Sequence, residues 1–314
     1  MARLALVPRQ RKDDAMPSGD GTRREFFCTA ALAAGAAALT AYGAEPVQRK
    51  GPPGLKLSIA AYSYRKFLSG KEPSMTLDDF LHKGAELGLD AVEPTSYYFR
   101  DTSTRYLRHL RSTAFRLGLD ISGTAIGNDF GHPPGAARDG QIAHTKKWIE
   151  HAETLGAPVI RIFAGHQKKG QTAEECHKLM VAGMEETCAY AGERGVYLAL
   201  ENHGGPTATA EGLLKLVKDV KSPWLGVNLD TGNFRSEDPY RDMAAAAPYT
   251  LNVQVKVDVR VGGKSQPTDY KRVVTILRDA GYRGYVALEY EAAEDPMTAI
   301  PGHIAALREA IAAG

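Results

Sequence analysis

From Leu55 onward, short apolar runs alternate with longer amphipathic stretches. Eight runs read as strands: LKLSIAAYS from 55, LDAVEPT from 89, LDISGTAI from 119, APVIRIFA from 157, GVYLALEN from 195, WLGVNLD from 224, TLNVQVKV from 250 and GYVALEY from 284. The stretches between and after them predict helices over 76–88, 102–117, 137–155, 172–194, 209–220, 237–247, 268–280 and 296–312. Thr76 and Thr172 each precede a turn containing acids, as an N-cap does. Gly88, Gly118, Gly156, Gly195 and Gly281 stand where helices end. Strand then helix, eight times in about 260 residues, is the count for one (β/α)8 barrel, an α/β fold. An open doubly wound sheet is the alternative, but no Gly-rich dinucleotide fingerprint follows the first run.

The residues before the barrel read as an address. Arg23-Arg24 is followed by Phe26-Phe27, an Ala/Gly run from Thr29 to Ala41, and small residues at Gly43 and Ala44. The order basic, apolar, small resembles a twin-arginine export signal over 1–44, which implies a periplasmic protein. The apolar run is too short and too rich in Ala and Gly for a stable membrane span. Residues 45–54, EPVQRKGPPG, read as a linker, and 55–314 as the barrel.

Composition then narrows the partners. The chain has 314 residues, 43% hydrophobic and 24% charged, an ordinary globular balance. Its net charge is +2, and the first 44 residues, with six basic and four acidic side chains, carry all of it. A neutral barrel argues against a large nucleic-acid footprint. Cys28 lies in the signal, while Cys176 and Cys188 lie twelve residues apart on one predicted helix, too far to bridge. Nothing in these totals decides against a homo-oligomer.

The candidate chemistry sits at the ends of the runs. ALENHGG ends its run at Glu201, GVNLDTGNF at Asp230 and VALEYE at Glu289. A barrel of this kind builds its site from the C-terminal ends of its strands, so the three acids converge on one mouth. Alone, each reads as a solvated carboxylate. Together they repel, and a divalent cation offsets that repulsion. Oxygen ligands suit Mg²⁺ or Mn²⁺, and an added imidazole favours Mn²⁺, Co²⁺ or Zn²⁺. In the seventh run Gln254 and Lys256 share a face, so Gln254 is the candidate fourth ligand and Lys256 a partner for acids or substrate oxygens. Glu93, His166, His203 and Tyr62 also stand near run ends. Each could equally be a structural residue.

The barrel order, with ALENHGG, GVNLDTGNF, VQVKVD and VALEYE, resembles the sugar phosphate isomerase/epimerase superfamily, the xylose isomerase-like barrels, over residues 55–312. The resemblance implies metal ligation by Glu201, Asp230, Gln254 and Glu289, with Mn²⁺ the first expectation. It also implies that Glu201 and Glu289 act as acid and base on a carbohydrate and that Glu93 contacts substrate. Two positions depart from the family pattern. Gln254 stands where the family commonly has His, and Asn233, here taken as a substrate contact, stands where epimerases often have His. The implied reaction is proton abstraction alpha to a carbonyl of a non-phosphorylated sugar, with His166 and His203 as further acid/base candidates. Elimination of the C1 substituent from a 3-keto-glycoside is the alternative on the same site. An endonuclease IV-like phosphodiesterase needs many more ligating histidines than the barrel offers, since most of the nine lie on predicted helices. A sugar-binding barrel without turnover is the remaining reading.

Overall fold

The computed structural model describes residues 44–313. The export signal read at 1–44 therefore lies outside the described residues except for Ala44, and so does Cys28. Strands β1 (Gly54–Ile59), β2 (Ala91–Val92), β3 (Asp120–Ile121), β4 (Thr124–Ala125), β5 (Val159–Ile162), β6 (Tyr197–Glu201), β7 (Leu225–Asp230) and β8 (Thr250–Val255) follow one another, and β9 (Asp258–Val261), β10 (Lys264–Pro267) and β11 (Arg283–Leu288) complete the set. Seven of them form a parallel sheet in the order β1-β11-β8-β7-β6-β5-β4. β2 pairs with β3 in parallel. Bridges from Ala60 to Glu93 and from Thr95 to Ala125 close the ring between β1 and β4. The result is the eight-fold barrel, with β3 and β4 together forming the third stave.

Helices α1 (Leu77–Glu86), α2 (Thr104–Arg116), α3 (Ala136–Leu155), α4 (Ala173–Gly192), α5 (Ala210–Asp219), α6 (Pro239–Ala246), α7 (Tyr270–Asp279) and α8 (Pro296–Ala313) follow the eight staves in turn. Local chemistry sets their ends. Thr76 with Asp79, and Thr172 with Glu175, form reciprocal capping boxes. The five glycines expected at helix exits all have positive φ, between 62° and 83°.

Two differences from the sequence reading have physical causes. The third run is interrupted at Ser122-Gly123, where Val159 comes so close that a Cβ on Gly123 would stand 2.9 Å from its Cγ1 and 3.1 Å from its carbonyl oxygen. β9 and β10 form an antiparallel hairpin that the run count missed. Its turn residues Gly262 and Gly263 both have positive φ, as a two-residue hairpin turn requires. Residues 45–54, read as a linker, are fastened to the barrel. Val47 N–H donates to Pro248 O at 2.8 Å, Arg49 bonds Thr250 O, and its guanidinium lies 5.0 Å from the Tyr282 ring, beside the N-terminal ends of β8 and β11.

The strand alternation separates two interiors. Ile160, Ile162, Leu198, Leu200, Val253 and Val255 join the apolar core against the helices. Their neighbours on the other parity face the lumen, which is polar rather than filled by branched apolar layers. Ser58 and Ser122 hydroxyls meet there at 2.8 Å, and Asn228, Asn252 and Gln254 are all buried. No helix among the described residues is long and apolar enough to cross a membrane.

Candidate active site

Glu201 and Asp230 are the last residues of β6 and β7. Glu289 directly follows β11, held by its N–H on Val255 O. All three are buried, and Lys256, one residue past β8, is buried among them. Its Nζ lies 2.5 Å from Glu289 Oε2, 3.0 Å from Glu291 Oε2 and 3.2 Å from Asp230 Oδ2. Asp230 and Glu289 thus meet on one lysine ammonium, while Glu201 ends the strand beside β7. Asp230 is also fastened by its backbone: Asn202 accepts from Asp230 N–H at 2.9 Å and donates to Asp230 O at 2.8 Å. This is the work of the Asn in ALENHGG, which the sequence reading left without a role.

Arg161, on β5, is a site residue the sequence reading passed over. It is 5% exposed, and its Nε lies 2.9 Å from Glu201 Oε2. Nη1 donates to Ile126 O at 2.6 Å, and the guanidinium lies 4.2 Å from the Phe163 ring centroid. Asn233 donates to the other Glu201 oxygen at 2.9 Å. The signal was visible in RIFAGH, where an arginine interrupts an apolar run.

Glu93, expected to contact substrate, stands in the lumen. It is fully buried and belongs to a closed ring of hydrogen bonds across the lumen. Asn252 Nδ2 donates to Glu93 Oε2 at 2.6 Å and to Asn228 Oδ1 at 2.9 Å. Asn228 Nδ2 donates to Gln254 Oε1 at 2.8 Å, and Gln254 Nε2 donates to Glu93 Oε1 at 2.5 Å. Burial pushes the Glu93 carboxyl up to about 7, against the pull of the Asn252 amide. A carboxyl raised from 4.5 in the unfolded chain contributes its full stability below that pH and loses it as pH rises through about 7. At about 1.4 kcal/mol per unit, the loss is on the order of 3 kcal/mol. Urea unfolding at pH 5 and pH 8 is expected to show Glu93→Gln less stable at pH 5 and its pH slope flatter than wild type. An unchanged slope would remove Glu93 as its source.

The other candidates divide. Tyr62 lies beside the centre, its ring centroid 6.0 Å from Lys256 Nζ. The His203 ring packs 4.5 Å from Phe163, and burial lowers its pKa, helped by Arg161 and Lys256. His166 is not brought to the acids. The loop after β5 turns at Gly165 (φ 105°), His166 N–H donates to Asp129 Oδ1, and the exposed residue borders a groove of about 1070 Å³ between α4 and α5. That groove holds none of the converging acids. A smaller polar cavity, about 250 Å³, opens on the site itself through Asn233, Lys256 and Glu291.

A family model of the xylose isomerase-like TIM barrel matches residues 81–310. The chain belongs to that family. Among solved structures, this family member resembles a D-psicose 3-epimerase (20% identity, TM-score 0.66, covering 82% of this chain and 97% of that one). It resembles an L-ribulose 3-epimerase equally in TM-score, 0.66, at 19% identity, over 82% of this chain and 95% of that one. It also resembles a 3-keto-D-glucoside 4-epimerase from E. coli (14%, TM-score 0.65, 82% and 99%). A search of curated proteins finds no match.

The family implies a metal, and the donors of this barrel do not fit one as arranged. Gln254, the fourth ligand expected, commits its amide oxygen to Asn228 and its amide nitrogen to Glu93. Asn233 hydrogen-bonds one Glu201 oxygen, and the Arg161 guanidinium faces the other as an ion pair, its Nε without a hydrogen bond. Asp230 Oδ1 accepts from Gly232 N–H at 2.8 Å, and Oδ2, buried without a hydrogen bond, faces Lys256. Among the described residues no three His, Cys, Asp or Glu side chains are placed to hold a metal ion, and the three carboxylates nearest one another are taken by the Lys256 ammonium.

Proposed function

We propose that this barrel is a sugar isomerase or epimerase that moves a proton alpha to the carbonyl of a non-phosphorylated carbohydrate. The observation that carries the reading is the pair Glu201 and Glu289, at one mouth with opposite proton affinities. Burial works against ionisation of Glu289, but Lys256 outweighs it and holds the carboxyl below its usual value. Burial pushes Glu201 up to about 7 in spite of Arg161. Two carboxyls whose environments separate their pKa values are assigned as base and acid. Glu289 takes the proton from the carbon beside the carbonyl, and the bonding pair moves onto the carbonyl oxygen to give an enediolate. Glu201 returns a proton, to the same carbon for epimerisation; for isomerisation it goes to the neighbouring carbon, while the adjacent hydroxyl becomes the new carbonyl and its proton passes to the old carbonyl oxygen. The export signal read at 1–44 puts this reaction in the periplasm, where phosphorylated sugars are scarce.

A second reading, elimination of the C1 substituent from a 3-keto-glycoside, needs the same base. The fold likeness to an enzyme named for 3-keto-D-glucosides favours including it. Proton NMR in D2O with free ketoses and 3-keto-glycosides tests both readings. Deuterium entering an intact sugar is the expected result. Release of the C1 substituent would instead establish elimination, and silence with every sugar would overturn both.

A further inference from the structure

We infer that the centre is built around two fixed side-chain cations, Arg161 and Lys256, in the place where its family holds a divalent metal. Lysine has three N–H donors, and three carboxylates surround this one: Asp230, Glu289 and Glu291. An ammonium buried this way costs several kcal/mol of lost hydration, which only close pairing repays. Arg161, equally buried on β5, pairs with one carboxylate, Glu201, at 2.9 Å. The two departures from the family pattern then have one explanation. An imidazole at 254 or 233 would serve a metal. The amides present serve the protein: Gln254 closes the ring with Glu93, Asn252 and Asn228, and Asn233 satisfies Glu201.

The arrangement also says how substrate would enter. Of the three acids on Lys256, Asp230 and Glu289 are almost wholly buried, whereas the Glu291 side chain is 39% exposed. Glu291 lines the polar cavity with Lys256 and Asn233. It is the partner that can leave, and a sugar oxygen arriving through that cavity takes its N–H. The negative charge that builds on the oxygen then meets a pre-placed ammonium that is itself largely buried, where such an interaction is stronger than in open water. This deepens the proton-transfer reading and rests on it for what the cations do to a substrate. What occupies the centre is measured apart from it.

The test is metal binding by the full chain. Metal content of the purified protein is measured, followed by calorimetric titration with Mn²⁺, Co²⁺, Mg²⁺ and Zn²⁺. The expected wild-type result is no stoichiometric metal and no saturable single-site binding below about 1 mM. Lys256→Met releases three carboxylates at once, and its Mn²⁺ affinity is expected to rise roughly tenfold or more. Stoichiometric metal in the wild type, or saturable binding in that range, would overturn the inference. So would a folded Lys256→Met chain that binds Mn²⁺ no more tightly than wild type. If Lys256→Met does not fold, the wild-type titration decides alone. If both metal results hold while no sugar exchanges a proton, the reaction reading falls and the two-cation centre stands.

Discussion

Glu289→Gln is expected to lower deuterium exchange into the substrate by about 10²- to 10⁴-fold, the usual contribution of a positioned general base. The amide matches the carboxylate in shape but cannot accept the substrate proton. Its oxygen can still receive the Lys256 ammonium, which also keeps Asp230 and Glu291. The backbone anchor to Val255 O is untouched. Unfolding midpoints should therefore stay near wild type while exchange collapses, and NMR in D2O reads the exchange directly. Full exchange in the folded variant would take the base role from Glu289. Loss of exchange together with loss of fold would be answered by Glu289→Asp, which keeps a carboxylate and is expected to recover part of the rate.

The largest stability effect is expected from Arg161→Met. Removing one partner of a buried ion pair leaves the other uncompensated, typically at a cost of about 3–5 kcal/mol. Here the orphan would be Glu201, 3% exposed and left with Asn233 as its donor. Met fills much of the same space against Phe163, so the loss reports charge more than volume. Glu201→Gln on the Arg161→Met background removes the orphaned charge and is expected to recover a large part of that cost. The loss should also shrink at pH 5, where Glu201, raised to about 7, is protonated before any mutation acts. Urea unfolding of the two single variants and the double variant closes the cycle. A loss below about 1 kcal/mol for Arg161→Met would show that the pair behaves like an exposed salt bridge.

Legibility in the sequence followed the range of the interaction concerned. The eight helices fell within a few residues of their expected bounds because caps, exit glycines and amphipathic periods act within a single turn. The three acids were recognisable because each is the last polar position of an apolar run, and a barrel gathers all such ends on one face. The hairpin of β9 and β10 was missed: Gly262-Gly263 in VRVGGKSQ is a turn signal, but β9 buries only Val259 fully and β10 is exposed throughout, so neither strand stands out as an apolar run.

Glu93 and Gln254 mark the boundary of what could be read. Both were picked out as functional, and both sit where barrel geometry puts them. Their amide and carboxyl partners come from residues as far as 161 positions away in sequence. No local pattern states whether a glutamine oxygen turns to a metal or to Asn228, since both choices leave the strand alternation unchanged. Arg161 shows the same limit: its run announces a strand, and only the register of β5 beside β6, with Arg161 opposite Ala199, sets its guanidinium against Glu201. The sequence alone determined the eight-unit order and the gathering of acids at one mouth, because those depend on short-range periodicity and on where strands stop. The tertiary structure decided how the acids are neutralised, by lysine and arginine within a polar lumen, because that depends on which buried groups meet across the barrel.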